Sequence, residues 1–219
     1  MKDYLKSPFA WFLLQAIVLA IMVATIDQSL HPLVIQVPFW VLIVYTVIWL
    51  IAGTVKNIRG GLFTIREGNH YSLHFPKLWF GKRNHKVRFF LDRSCWYSFN
   101  GEDAKDVNKL WGVSFGKHHT NSYRLGWRAS GVAIGVFELL YYAYDDGVRV
   151  FRVIGSFNAN EWVDIEVEVA GGCAVAIFND ERYVYIYDNP VPEFGYYLFP
   201  YFGGNRTAPR DMKIYLDID

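Results

Sequence analysis

Between Lys6 and Lys56 the chain carries a single formal charge, Asp27. Two apolar runs fill that interval, PFAWFLLQAIVLAIMVATI over 8–26 and PLVIQVPFWVLIVYTVIWLIAG over 32–53. Each is close to the ~20 residues of helix that cross a hydrocarbon core of ~30 Å. Neither shows the polar stripe of a helix packed on a soluble core. Only DQSLH separates them, and Trp11, Trp40, Tyr45 and Trp49 suit the membrane–water interface. The expectation is a transmembrane helical hairpin over 1–56, touching the lipid bilayer through residues 8–53. A cleaved signal peptide is the competing reading of the first run, with Lys2 and Lys6 as its basic start. The immediate second span and the lack of a small-residue cleavage site argue against it. Lys2, Lys6, Lys56, Arg59 and Arg66 flank the pair, and the connecting loop has no basic residue. Both termini and the soluble domain are therefore expected on the cytoplasmic side, or on one side of a virion's internal membrane.

After Gly60 the period changes. VDIEVEV (163–169) alternates strictly, RYVYIY (182–187) sets three tyrosines on one face, and MKIYLDI (212–218) aligns Met212, Ile214, Leu216 and Ile218. Period-two alternation predicts antiparallel strands with one wet face. Asp146-Gly147 marks a hairpin, and Gly171-Gly172 and Asn179-Asp180 mark further turns. About a dozen short strands of this kind predict a β-sandwich or jelly roll over 62–219, joined to the hairpin by a junction at 57–61. The fold class is thus membrane-anchored and mainly β. With 15 Tyr and 17 Phe, the chain has the aromatic load that pleated surfaces favour.

A net charge of +1 gives no field for nucleic acid, which is not expected as a partner. Cys95 and Cys173 form neither a disulfide framework nor a CxxC pair and read as half-buried free thiols. No G-x-S-x-G, H-E-x-x-H or phosphate-loop motif occurs, and no cofactor or metal is expected.

The candidate site lies in GKHHTNSYRLGWRAS (116–130). Read as a strand, SYRLGWR puts Ser122, Arg124, Gly126 and Arg128 on one face and Tyr123, Leu125 and Trp127 on the other. The two guanidinium groups then stand ~13 Å apart along the strand. Gly126 leaves bare backbone between them, as where a ligand approaches a sheet. Planar arginines suit carboxylate, sulfate or phosphate oxygens. A cross-strand acid, Glu138 or Asp164, is the alternative partner. His118 and His119 fall on opposite faces of an extended chain, so they do not hold one ion; His118 joins the arginine face if the strand starts early. Asn108 and Lys109 stand just before an aromatic strand, and the turn-rich PYFGGNRTAPRD (200–211) adds Tyr201 and Asn205.

VNKLWGVSFGKHHTNSYRLGWR and YFGGNRTAP, followed by a final strand, resemble uncharacterised lectin-like (concanavalin-like) jelly-roll domains of Bacteroidetes and their phages. That resemblance covers about 60–219 and implies fold more than function. NSYRLGWR and YFGGN are also similar, more loosely, to the alginate-lyase type of jelly roll. This similarity would make Arg124 or Arg128 a carboxylate neutraliser and Tyr201 an acid/base. The Gln-x-His element of those enzymes is absent here.

The leading expectation is a non-enzymatic, membrane-anchored structural or recognition protein, with a lipid-containing phage particle as its setting. Its sandwich would dock a glycan, an anionic ligand, a neighbouring subunit or shell proteins, within a homo- or hetero-oligomer. The alternatives are a sensor of an anionic ligand or nucleotide with a membrane-disturbing hairpin, and a polysaccharide lyase.

Overall fold

The computed structural model describes residues 61–74, 77–170 and 172–219. The expected hairpin, its two spans and most of the junction lie outside the described residues. No described helix is long and apolar enough to cross a membrane.

Twelve strands are described: β1 (Gly61–Ile65), β2 (Leu78–Trp79), β3 (Asn84–Leu91), β4 (Asn108–Ser114), β5 (Ser122–Ala129) and β6 (Val136–Asp145), then β7 (Val148–Asn158), β8 (Trp162–Ala170), β9 (Cys173–Phe178), β10 (Glu181–Ile186), β11 (Gly195–Leu198) and β12 (Met212–Ile218). They form two six-stranded antiparallel sheets. Sheet one runs β1-β12-β3-β8-β9-β10 and sheet two runs β2-β11-β4-β5-β6-β7. One-turn 3₁₀ helices at Arg93–Cys95 and Gly101–Lys105 precede β4. The architecture is the expected two-sheet sandwich, and Asn108 and Lys109 begin β4 instead of preceding it.

Turn chemistry fixes the register. Asp146 (φ 47°) and Gly147 (φ 83°) join β6 to β7 with Asp145 opposite Val148, a two-residue loop with both central residues left-handed. Asn179 (φ 52°) and Asp180 (φ 65°) do the same between β9 and β10, with Phe178 opposite Glu181. The side-chain period of two then carries each register along its whole hairpin.

Sheet one behaves as alternation predicts. Val163, Ile165, Val167 and Val169 are buried, and so are Met212, Ile214 and Leu216. On its wet face Asp164 meets Arg88 at 3.6 Å, Glu166 meets Lys86 at 3.8 Å and Glu168 meets Arg182 at 2.8 Å. Exposed pairs of this kind are each worth roughly 0.2–1 kcal/mol. The core between the sheets is aromatic. Trp127 packs edge-on to Phe137 at 5.3 Å, and Phe89 to Phe157 at 5.1 Å. Truncating a fully buried ring such as Trp127 costs about 3–5 kcal/mol.

Sheet two departs from the expectation of a wet outer face. From Ser122 to Trp127 every residue of β5 is buried, on both faces. The inner set Tyr123, Leu125 and Trp127 joins the core as expected. The outer set is covered because the 115–121 turn folds back over it and the tyrosines of β6 close in from the side.

Both cysteines are free thiols. Cys95 is buried, its S–H donating to the Lys213 carbonyl at 3.2 Å, and burial pushes its pKa far above the usual thiol range.

His85 is also internal, 1% exposed, packed against Trp111 at 4.9 Å and Tyr197 at 5.7 Å, with Nε2 3.0 Å from the Lys82 carbonyl. Burial, helped by the Lys82 charge, pushes its pKa from 6.5 down to about 4. Between pH 6.5 and 4 the unfolded chain therefore binds more protons than the folded one. Stability from this group is complete above pH 6.5 and declines as pH falls through that window, by about 3 kcal/mol. Thermal melts of wild type and His85→Phe across pH 4–7 should converge in slope only above pH 6.5. A wild-type-minus-variant difference that is flat over the window refutes the assignment.

Candidate functional site

Pairing turns the outer face of sheet two into a grid. One row crosses Leu198, Gly112, Arg124, Tyr142 and Phe151 on successive strands. The next crosses Tyr196, Ser114, Ser122, Tyr144 and Arg149. Lys109, Gly126 and Leu140 begin a third, with Tyr201 bridged to Lys109. Small residues thus occupy the central strands and large rings flank them. Arg124 is the one long side chain in the middle of its row. A Cβ at Gly112 would collide with the Arg124 Cα and Cγ, so glycine there makes room for the arginine stem.

The guanidinium of Arg124 is the central feature. Arg124 is only 6% exposed, and its Nε makes no hydrogen bond. Among the described residues it has no carboxylate partner. Tyr142, Tyr144, Tyr196 and Tyr201 surround it. Burial lowers its pKa, yet an arginine stays protonated under any condition a protein meets. An uncompensated buried charge costs several kcal/mol.

Lys109 stands beside it. Its Nζ donates to the Val107 carbonyl at 2.7 Å and lies 4.7 Å from the Tyr142 ring centroid and 6.0 Å from that of Tyr201. Burial, with Arg124 and Arg149 adding repulsion and Asp106 opposing it, pushes its pKa down to about 8. Arg149 interacts with the Tyr142 hydroxyl and lies 5.8 Å from the Phe151 ring. Three cations therefore converge with rings and hydroxyls between them.

The histidines correct the extended reading. Residues 117–120 form a turn, closed by the Thr120 and Asn121 amides donating to the Lys117 carbonyl at 2.8 and 3.0 Å. Ser122 Oγ donates to the His118 carbonyl at 2.8 Å and Ser114 Oγ to the Gly116 carbonyl at 2.6 Å, pinning the turn over the face. His118 and His119 consequently lie side by side, centroids 4.3 Å apart. His118 Nδ1 is 2.7 Å from the Tyr196 hydroxyl. Burial first, then the Arg124 and His119 charges, push the His118 pKa down to about 4, so it is neutral near pH 7. No three His, Cys, Asp or Glu side chains gather for a metal ion among the described residues.

The other candidates separate. Arg128 sits on the expected face but is paired with Glu138 at 2.5 Å, the cross-strand acid, and donates from Nη1 to the Lys105 carbonyl at 3.1 Å. Asp164 belongs to the other sheet. Gly126 offers no bare backbone to a ligand, because Val107 Cγ1 fills the space above it. Asn108 is 1% exposed and points inward, giving Nδ2–H to the Tyr97 hydroxyl and accepting the Gly203 amide, both at 2.8 Å. Tyr201 stacks on His70 at 5.4 Å at the edge of the cluster. Asn205 is exposed on the following turn, without a hydrogen bond to the cluster among the described residues. The structure thus gathers Arg124, Lys109, His118 and Tyr201, and adds Tyr142, Tyr144, Arg149, Tyr196, His70 and Gly112. Of these additions, Tyr142, Tyr144 and Arg149 were readable from the Asp-Gly hairpin, which sets Tyr144 opposite Arg149. Tyr196 lies on a four-residue strand with no local pattern to mark it.

No known protein family matches this sequence, and no curated protein matches it. Solved structures similar to it include a polysaccharide lyase family 18 enzyme, aly-SJ02, with 10% identity, a TM-score of 0.46, and 76% of this chain and 88% of that chain covered. An alginate lyase from Alteromonas sp. 272 shares 10% identity at a TM-score of 0.46, over 74% of this chain and 86% of that one. Chicken galectin 2 shares 11% identity at a TM-score of 0.35, over 72% and 98%.

The cost of burying Arg124 is directly measurable. Replacing it by leucine removes the charge and keeps an apolar stem over Gly112, and should stabilise the ligand-free protein by about 1–4 kcal/mol. Chemical denaturation of both proteins reads this. Destabilisation by Arg124→Leu would show instead that the arginine supports the fold through its tyrosine contacts.

Proposed function

We propose that the outer face of sheet two binds an acidic glycan, with a carboxylate or sulfate on Arg124, and that the protein recognises this ligand without transforming it. The observation that carries the reading is the buried guanidinium with an unpartnered Nε and, among the described residues, no acid beside it. A planar fork suits a two-oxygen anion. Lys109 and Arg149 extend the positive field, while the hydroxyls of Tyr142, Tyr144 and Tyr196 suit a hydroxyl-rich molecule. The His70–Tyr201 stack supplies a ring platform at the edge. A triphosphate would call for a nest of backbone amides or a helix start. Neither stands at this face among the described residues, so a singly charged sugar unit fits better than a nucleotide.

Titration calorimetry with glucuronate, sulfated and uronate oligosaccharides and a nucleotide panel tests this. Acidic sugars should bind, Arg124→Leu should lower affinity at least tenfold, and added salt should weaken binding. Affinity should also fall as pH rises through about 8, where Lys109 loses its proton, and Lys109→Met should remove that dependence. Binding of nucleotides alone would replace the glycan with a nucleotide as ligand. Binding of neither class would end the reading.

One observation favours a second reading, a lyase. Neutral His118 beside Arg124 holds Nδ1 against the Tyr196 hydroxyl. In the tautomer with the proton on Nδ1, Nε2 has a free lone pair. With a uronate carboxylate held by Arg124, that base would take the proton from the carbon next to the carboxylate as a C=C bond forms and the glycosidic C–O bond breaks, and the proton would pass from His118 to the departing sugar oxygen, which leaves as a hydroxyl. New near-ultraviolet absorbance on uronate polymers, lost in His118→Ala, would establish turnover; its absence leaves recognition.

Anchoring in a membrane, cellular or of a lipid-containing phage particle, with the sandwich on the cytoplasmic or equivalent side, belongs to the same proposal and rests on residues 8–53. Alkaline carbonate extraction should leave the full chain in the membrane pellet and release residues 57–219. Release of the full chain would overturn it.

A further inference from the structure

A cavity of about 400 Å³ lies beside Arg128, near the end of β5. Trp96, Tyr97 and Phe99 form one wall, and the 131–134 loop forms the rim with Val132 and Ile134 exposed. The Arg128–Glu138 pair belongs to its lining. That pair is not saturated. Arg128 uses Nε on Glu138 and Nη1 on the Lys105 carbonyl, and Glu138 uses Oε2. Arg128 Nη2 and Glu138 Oε1 are left without a described partner. Side-chain exposures of 20% and 31% leave both within reach of a ligand. A fixed donor beside a fixed acceptor, with their charges cancelled and an aromatic wall alongside, is complementary to neighbouring hydroxyls on a sugar ring. The cavity is near the small end of ligand pockets, roughly 300–1,000 Å³.

Its position ties it to the first site. Arg128 follows Arg124 by four residues on the same face of β5, a separation of about 13 Å along the strand. Val107, Leu140 and Tyr142 make an apolar saddle between the two. We infer that this cavity is a second subsite, for a neutral hydroxylated sugar unit of the same glycan whose acidic unit sits on Arg124. The ligand is therefore an oligosaccharide of mixed acidic and neutral units lying along β5. This inference rests on the acidic-glycan reading of Arg124.

The test uses the full-length protein in detergent, titrated with glucuronate, a homouronate hexamer and a hyaluronan hexasaccharide, which alternates glucuronate with a neutral sugar. The mixed hexamer should bind at least tenfold more tightly than either of the others. Ala133→Trp, on the exposed rim, should erase that gain and leave glucuronate affinity unchanged. Glu138→Gln, which removes the acceptor charge without changing side-chain size, should reduce the gain as well. Equal affinities across the three ligands, or a mixed-hexamer affinity that neither substitution lowers, overturns the subsite and leaves Arg124 standing. If wild type binds no acidic sugar, the Arg124 reading fails. The cavity is then judged by saturation-transfer NMR with neutral disaccharides, where a signal lost in Ala133→Trp supports a neutral-sugar site and no signal overturns it.

Discussion

A strand buried on both faces can normally carry no charge, and β5 carries one in its middle. Tyr123, Leu125 and Trp127 commit its inner face to the core, so the strand cannot tilt or slip without exposing two rings and a leucine. The alternating residues are thereby forced outward, and Arg124 arrives at a fixed height over Gly112. Everything else at the site is arranged around that forced position. The tyrosines of β6 approach because they share its ladder, and the 115–121 turn approaches because serine hydroxyls at the ends of β4 and β5 hold its carbonyls. The positioning of the guanidinium is thus a property of the core, the most rigid support a side chain can have.

The same arrangement separates two cations that alternation alone makes equivalent. Arg124 faces Tyr142 across the ladder, whereas Arg128 faces Glu138. One neighbour leaves the charge uncompensated and the other cancels it. At the first position net charge is available for an anion; at the second only a dipolar hydrogen-bonding edge remains. A single strand therefore presents two chemistries a few residues apart, and the difference is made wholly by β6.

Much of this was legible in the sequence. Strict alternation in β8 and β12, and left-handed turn pairs at Asp146-Gly147 and Asn179-Asp180, identify the strands and their hairpin registers. The sequence offers Glu138 and Asp164 as cross-strand acids without deciding between them; the β5–β6 ladder sets Glu138 opposite Arg128. What alternation could not supply was cover. Whether an outward face is wet depends on which loops fold back over it, and the GKHHTN segment gives no periodic signal that it closes as a turn. This is why His118 and His119 read as divided when the turn brings them together. Gly126 misled for a related reason, since a glycine in a strand marks close approach without saying whether a ligand or Val107 approaches.

Asn108 shows how the core side governs the cationic face. Neighbours in a strand point oppositely, so Asn108 enters the interior as Lys109 enters the cationic face. Inside, Asn108 Oδ1 accepts the Gly203 amide, and position 203 tolerates no side chain because a Cβ there would strike the Val107 carbonyl. The loop is thus drawn tightly onto β4, where Tyr201 and Lys109 exchange backbone hydrogen bonds of 2.8 and 2.9 Å. Tyr201 and Lys109 are held in one geometry by a hydrogen bond made on the opposite face of the sheet. A residue that looks like a ligand contact by sequence proximity acts as the clamp that sets two others in place.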